Sequence, residues 1–140
     1  MDTDAQRKLM YEFEQYSREL QALNEEKNRF SMKRLEIEGA KNALTELSKS
    51  EKSADAMVPL GAGVFIKGVV SDTKSAVVSV GAEIAVQKNI PDAKTFLREQ
   101  ITNIDKATVN LNQRIAMVDK EARRISQELE KSGSQARSEQ

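Results

Sequence analysis

A glycine-rich stretch, Gly61-Ala62-Gly63, comes closest in this sequence to a site for chemistry, because backbone amides in such stretches can hold a phosphate group. Phosphate-binding loops open a helix and carry a further glycine or a lysine at fixed spacing. Here the next residues are Val64, Phe65 and Ile66, whose β-branched and aromatic side chains favour a strand. The stretch therefore predicts a tight turn between two strands.

Paired carboxylates are the second candidate for chemistry. Glu25 with Glu26, and Glu36 with Glu38, could bind a metal or act as acid and base. The sequence contains no histidine and no cysteine, so the commonest general base, metal ligand and thiolate nucleophile are all missing. Both pairs fall on predicted helices, outside the apolar stripe, where glutamates are usually solvated charges. We therefore predict no catalytic residue, no metal site, no cofactor and no enzymatic activity.

The charge balance narrows the range of partners. With 22 basic and 22 acidic residues, the chain carries no net charge that would attract nucleic acid. The N-terminus has no apolar signal segment, and no run approaches the roughly 20 apolar residues that a membrane helix needs. We expect a cytoplasmic protein that binds neither nucleic acid nor membrane.

Apolar residues at both ends follow the alternating spacing of four and three that is typical of a coiled coil. The N-terminal stripe runs through Leu9, Phe13, Tyr16, Leu20, Leu23, Lys27, Phe30, Arg34, Ile37, Lys41 and Leu44. The C-terminal stripe runs through Leu97, Ile101, Ile104, Thr108, Leu111, Ile115, Val118, Ala122, Ile125 and Leu129. The two stripes predict long helices that pair with each other along a seam.

The sizes of the seam residues favour one antiparallel register. When facing residues have numbers that sum to 138, Tyr16 lies opposite Ala122 and Phe30 lies opposite Thr108, so that large side chains meet small ones. Sliding one helix by a heptad sets Tyr16 against Leu129 and crowds the same layers. We therefore favour the register of 138.

The predicted class is α+β, a long antiparallel coiled-coil hairpin with a small β insert. We expect helices over residues 4–48 and 89–131, with Asn89 capping the second, a linker over 49–56, two β-hairpins over 57–88 and a disordered tail over 132–140. Within the insert, strands are expected at Val58–Leu60, Val64–Val70, Ala76–Val80 and Ile84–Lys88.

The predicted strands carry apolar side chains on both faces. Val64 and Ile66 point to one face of the strand, and Phe65 and Val69 point to the other. About thirty residues cannot bury such strands alone, so we expect the insert to mediate oligomerisation. The residues assigned to this role are Val64, Phe65, Ile66, Val69, Val78 and Val80.

The order of these features resembles the prefoldin family, specifically its α class. The resemblance covers nearly the whole chain and rests on the segment Val58-Pro59-Leu60-Gly61-Ala62-Gly63-Val64-Phe65 and the later Val80-Gly81-Ala82, placed between two heptad helices. Two hairpins rather than one indicate the α class. The resemblance implies a hexamer of two α-class and four β-class subunits, in which the hairpins form a β-barrel body and the coiled coils project from it. It also implies capture of unfolded proteins at the coiled-coil tips and their transfer, without ATP, to a group II chaperonin.

The free ends of the coiled coil are the candidate site for client binding. In the register of 138, Leu9 meets Leu129 and Phe13 meets Ile125, with Met10 and Tyr11 beside them. Exposed apolar groups can hold unfolded clients without sequence preference, and flexible methionine suits that role. The predicted client-binding residues are Leu9, Met10, Tyr11, Phe13, Ile125 and Leu129. The alternative is a structural adaptor that binds one specific partner, or a filament-forming paralogue built through the β edges.

Overall fold

The computed structural model describes residues 3–138, and the side chains of residues 3–133. The chain forms helix α1 (Thr3–Ser48), strands β1 (Ala54–Gly61), β2 (Val64–Val70), β3 (Ser75–Gly81) and β4 (Ile84–Asn89), and helix α2 (Ile90–Ser138). These residues divide into two compact units. The first unit contains residues 3–32 and 104–138, and the second contains residues 33–103 with all four strands. The α+β class is confirmed.

Both predicted stripes are the least exposed faces of their helices. Every residue of the two stripes is buried or half-buried, and Ile37, Ile101, Leu111, Val118, Ala122 and Ile125 are buried. Sequence spacing alone was sufficient here, because a seven-residue repeat places its apolar positions on one side of a helix whatever the rest of the fold does. The stripes are the seam along which the two helices pack.

Contacts in the first unit show the antiparallel direction of the helices. Nε of Arg114 donates to Oε1 of Glu19 at 3.1 Å, and Tyr16 and Val118 line one cavity. In the register of 138, Arg114 lies five residues from the position facing Glu19, about 7.5 Å along the axis at 1.5 Å per residue. In the slipped register the offset is about 18 Å, which is more than the two side chains can span. The ion pair is within side-chain reach in the register of 138 and out of reach in the slipped one.

The two helices also meet in the second unit. Ser48 and Ile90, whose numbers sum to 138, line one cavity. Two cationic seam residues in this unit, Arg34 and Lys41, are half-buried and share one carboxylate: the Glu38 oxygens lie 3.7 Å from Nη1 of Arg34 and 3.3 Å from Nζ of Lys41. Their stems line the seam while the charges reach its edge, as expected for long cationic side chains.

The four strands form two separate antiparallel hairpins, β1 with β2 and β3 with β4. The hairpins are structural repeats twenty residues apart, because Pro59 pairs with Phe65 in the first and Ser79 pairs with Ala85 in the second, with the same bulge before each turn. Ala62 (φ 53°) and Gly63 (φ 78°) form the first turn. Positive φ at both central residues is the geometry that matches the twist of paired strands. The turn predicted for Gly61-Ala62-Gly63 is confirmed.

The second turn places two non-glycine residues in the left-handed region. Ala82 and Glu83 have φ values of 51° and 61°, and Glu83 stands where the first hairpin has Gly63. A side chain with a Cβ in this region costs roughly 1–2 kcal/mol. Strand pairing on both sides of the turn holds it in place.

Two predicted boundaries were wrong. The linker expected over 49–56 ends earlier, because β1 begins at Ala54 and its first three residues pair with Val70, Val69 and Gly68. The tail expected to be disordered over 132–140 is helical as far as Ser138, the last described residue. Ser132 is buried at the next seam position after Leu129, so the coiled-coil repeat continues to this residue. The repeat was not recognised there because serine is polar.

The start of α2 follows the predicted cap. Oδ1 of Asn89 accepts a hydrogen bond from the backbone amide of Asp92 at 2.8 Å, which satisfies one of the free amides of the first turn. Pro91 lies in that turn, where its missing N–H costs nothing. The last strand and the second helix are thereby joined without a loop.

Candidate assembly and client-binding surfaces

The hairpins expose apolar side chains on both faces. In β2, Phe65 is 52% exposed and Ile66 is 50% exposed, although successive side chains of a strand point in opposite directions. Of the six predicted assembly residues, Val64, Phe65, Ile66, Val69 and Val80 are exposed and Val78 is half-buried. We call these six residues the hairpin surface.

Sequence reasoning missed further exposed apolar residues on the same hairpins. They are Met57, Val58, Leu60, Val77, Ile84 and Val86. The alternating pattern that identified Val64 and Phe65 also contains these positions, so the signal was present. An isolated two-stranded hairpin is marginally stable in water, and contiguous exposed apolar groups indicate an interaction surface.

A polar anchor ties the hairpins to the end of α1. The hydroxyl of Thr73, which is 2% exposed, donates to the carbonyl oxygen of Ser50 at 2.8 Å. Nζ of Lys74 donates to the carbonyl oxygens of Ser48 at 3.1 Å and Ser50 at 3.3 Å. The last turn of α1 has no basic residue of its own. Lys74 therefore supplies the positive charge that stabilises the free carbonyl groups at the C-terminus of α1.

The connection between β2 and β3 is ordered by Asp72. Oδ1 of Asp72 accepts hydrogen bonds from the amides of Lys74 at 2.9 Å and Ser75 at 3.2 Å, and its other carboxylate oxygen accepts one from the Ser75 hydroxyl. The Ser75 hydroxyl, followed by the Lys74 amide, holds the pKa of Asp72 below its ordinary value. No signal in the sequence distinguished this turn from an ordinary polar loop.

The predicted client-binding residues all lie in the first unit. Met10 is 53% exposed and Tyr11 is 63% exposed, while Leu9 and Phe13 are half-buried seam residues beside them. Leu129 is half-buried and Ile125 is fully buried. We call these six residues the helix-end cluster.

Ile125 does not offer a surface to a client in this structure. Its exposure is 0%, because it occupies a seam position of the coiled coil. A client can therefore reach Ile125 only where the helices separate, and its role in client binding stays a prediction. Met10 and Tyr11 lie outside the stripe, so they are the members of the cluster that solvent reaches most easily.

The described side chains, those of residues 3–133, include no group of three or more of the metal-binding types that could hold an ion. In the same part of the chain, no helix is both long enough and apolar enough to cross a membrane.

Comparison with known proteins agrees with this architecture. The family model for prefoldin subunits matches residues 16–135. Prefoldin subunit alpha of Pyrococcus horikoshii is 34% identical over 101 residues, which cover 71% of this chain and 68% of the relative. Prefoldin subunit alpha 1 of Thermococcus kodakarensis is 35% identical over 100 residues, with coverage of 71% and 68%.

A solved structure shows the same fold. It is a cryo-EM structure of filamentous prefoldin from Methanocaldococcus jannaschii, with a TM-score of 0.72, 19% sequence identity, and coverage of 84% of this chain and 98% of that one. The α-class resemblance of the sequence is confirmed by the relatives, which are alpha subunits. The chain belongs to the prefoldin family of chaperone subunits.

Proposed function

We propose that this chain is a subunit of an ATP-independent holdase, which captures unfolded proteins at the ends of its coiled coils and passes them to a group II chaperonin. The observation that carries the proposal is that one prefoldin-family chain exposes two separate sets of apolar residues. The hairpin surface suits assembly, and Met10 and Tyr11 suit weak capture of a client. We place this activity in the cytoplasm.

The proposed assembly rests on apolar surface that the hairpins do not bury within the single chain. Each hairpin has two strands, exposed apolar residues on both faces and unpaired strand edges. Burial of these residues against other prefoldin subunits removes apolar surface from water, which favours association. We propose β-class subunits as partners in a hexamer with two α-class and four β-class chains, whose hairpins close into a β-barrel body.

Capture follows from the helix-end cluster. Met10 and Tyr11 are close in sequence, exposed and not part of the seam, so they can contact a client without separating the helices. Methionine adapts its shape to different partners, and tyrosine offers a large apolar ring. A few such contacts bind weakly, but several coiled coils on one body raise the effective affinity by 10²–10⁴, roughly, through multivalency.

A filament is the second candidate form of assembly. The similar solved structure is that of a filamentous prefoldin, and unpaired strand edges can add further subunits without closing into a ring. Native mass measurement separates the two forms, since a hexamer gives one mass and a filament gives a broad, concentration-dependent distribution.

Suppression of aggregation tests the chaperone function. An unfolded client is diluted into buffer without ATP, with and without the assembled subunit, and light scattering is recorded. We expect the scattering of several unrelated clients to fall. Protection of none of them, together with selective retention of one partner on the immobilised chain, would favour a coiled-coil adaptor instead.

A further inference from the structure

The methionine side chains that the structure describes all lie on the surface. Four of the five methionines are described, and their exposed fractions lie between 53% and 73%. They are Met10, Met32, Met57 and Met117. Methionine commonly fills gaps in an apolar core, but here no methionine occupies a position in either stripe of the coiled coil. The described thioethers are therefore open to solvent, and the seam does not depend on them.

Exposed thioethers can be oxidised by a peroxide. The sulfur lone pair attacks one peroxide oxygen, an S–O bond forms and the O–O bond breaks. The proton of the transferred oxygen passes to the departing hydroxide, which leaves as water, so the sulfur is oxidised by two electrons and the peroxide is reduced. The sequence contains no cysteine, so no thiol in the chain competes for the oxidant. The product, methionine sulfoxide, is polar, and dedicated reductases convert it back to the thioether.

The effect of this oxidation depends on where the methionine lies. Met32 and Met117 are on helices outside both stripes, so a sulfoxide at either position stays in water and no seam layer is lost. Met57 is on strand β1, where the proposed assembly would cover it. Met10 belongs to the helix-end cluster, and its proposed role depends on its apolar character. Met10 is therefore the described methionine at which oxidation acts on client capture.

The surroundings of Met10 allow oxidation without unfolding. Its side chain is 53% exposed, so water can solvate a sulfoxide oxygen there without any partner from the protein. The neighbouring stripe residues Leu9 and Phe13 are half-buried in the seam and contain no sulfur. Oxidation thus changes the surface that a client meets and leaves the pairing of the helices in place.

We propose that Met10 is a reversible oxidation site at which a peroxide lowers client capture, an inference that rests on the proposed holdase function. The thioether offers an apolar contact to a client, whereas the sulfoxide carries a polar oxygen that such a contact would remove from water. Every copy of this chain in an oligomer carries the same residue, so oxidation weakens several contacts of a multivalent complex together. Reduction of the sulfoxide restores the contact.

Leucine at position 10 separates this effect from oxidation elsewhere. Met10→Leu keeps an apolar side chain of similar size that has no sulfur, and Met117→Leu makes the same change at an exposed position outside the cluster. Each assembled oligomer is treated with hydrogen peroxide, catalase removes the excess, and protection of an unfolded client is measured by light scattering. Peptide mass spectrometry locates the added oxygen, and native mass spectrometry reports whether the oligomer is intact.

We expect treatment of the unaltered oligomer to raise the concentration that halves light scattering by roughly twofold to tenfold, the range that one methionine contact supports. Met117→Leu should respond in the same way, Met10→Leu should not respond, and methionine sulfoxide reductases should restore the treated, unaltered oligomer.

An equal loss of protection in Met10→Leu would overturn the proposal, because it would place the effect at another residue. Full protection by an oligomer that carries the sulfoxide at Met10 would also overturn it, and so would a Met10 that stays unmodified while Met117 is oxidised. An untreated oligomer that protects no client would instead contradict the holdase function itself.

Discussion

The ammonium group of Lys74 lies 3.1 Å from the carbonyl oxygen of Ser48, the last residue of α1. Lys74 thereby caps a helix that ended 26 residues earlier in the sequence. The carbonyl oxygen of Lys74 also accepts a hydrogen bond from the amide of Ile90, the first residue of α2. Lys74 therefore joins the end of the first helix, the base of the second hairpin and the beginning of the second helix.

Removal of this ammonium group is expected to lower stability. Lys74→Met keeps the aliphatic stem and loses the cation, so the free energy of unfolding should fall by about 0.3–1 kcal/mol, the usual contribution of a cation at an exposed helix C-terminus. Urea denaturation at low salt measures the change. Lys52→Met removes a like charge from the neighbouring loop and serves as the control; an equal loss in both variants would show a general charge effect.

Asp72 gives a pH dependence of defined sign. Its pKa is below the ordinary value of 3.8, with the Ser75 hydroxyl as the main cause. A carboxyl group whose pKa is lower in the folded chain stabilises the fold above the unfolded pKa, and that contribution is lost as the pH falls through the folded pKa. Titration followed by carboxyl ¹³C NMR should place the Asp72 midpoint below 3.8, and Ser75→Ala should move it upwards. A midpoint unchanged by that substitution would contradict the assigned cause.

The coiled-coil register can be tested by crosslinking, because the natural sequence has no cysteine. Cysteines at positions 16 and 122 should form a disulfide within one chain, since bridged residues need Cα atoms within about 7 Å. Cysteines at positions 16 and 129 should not. Non-reducing electrophoresis separates the two cases, and efficient bridging of the second pair would show that the slipped register is populated.

Phe65 tests the role of the hairpin surface. It is 52% exposed in the single chain, so Phe65→Asp should leave the helices folded. The same carboxylate buried in an interface without a partner costs several kcal/mol, roughly, so the oligomer should dissociate. Light scattering gives the mass. Val109→Asp changes a residue of α2 that is 56% exposed and should assemble normally; an unchanged oligomer in Phe65→Asp would argue against assembly through the hairpins.

Local periodicity made the coiled coil predictable from the sequence. Contacts between residues far apart in the sequence were not predictable in this way. The seam through Leu9 and Leu129 follows from spacing alone, and Asn89 follows from capping chemistry. The anchor from Lys74 to Ser48 joins residues that no sequence pattern connects. Ser132 was assigned to a disordered tail on polarity, although its seam position decides its burial.

The candidate sites were predictable to different degrees. The alternation of apolar residues in β2 identified the hairpin surface, because strand side chains point to opposite faces by geometry. Ile125 was assigned to a client surface on its position near the helix end, but pairing of the helices buries it completely. Sequence position locates a residue along a coiled coil, while exposure depends on which face its partner covers.

Client protection by a tip-deleted oligomer tests the central claim most directly. Deletion of residues 1–11 together with 126–140 removes Met10, Tyr11 and Leu129 and leaves all four strands unchanged. The matched milder variant, Met10→Ser with Tyr11→Ser, is compared with Met117→Ser, an exposed methionine elsewhere on the coiled coil. We predict that the deleted chain still assembles but no longer reduces light scattering by an unfolded client, that the double variant loses part of this protection and that Met117→Ser loses none. Protection by the tip-deleted oligomer equal to that of the intact one would contradict the proposed mechanism.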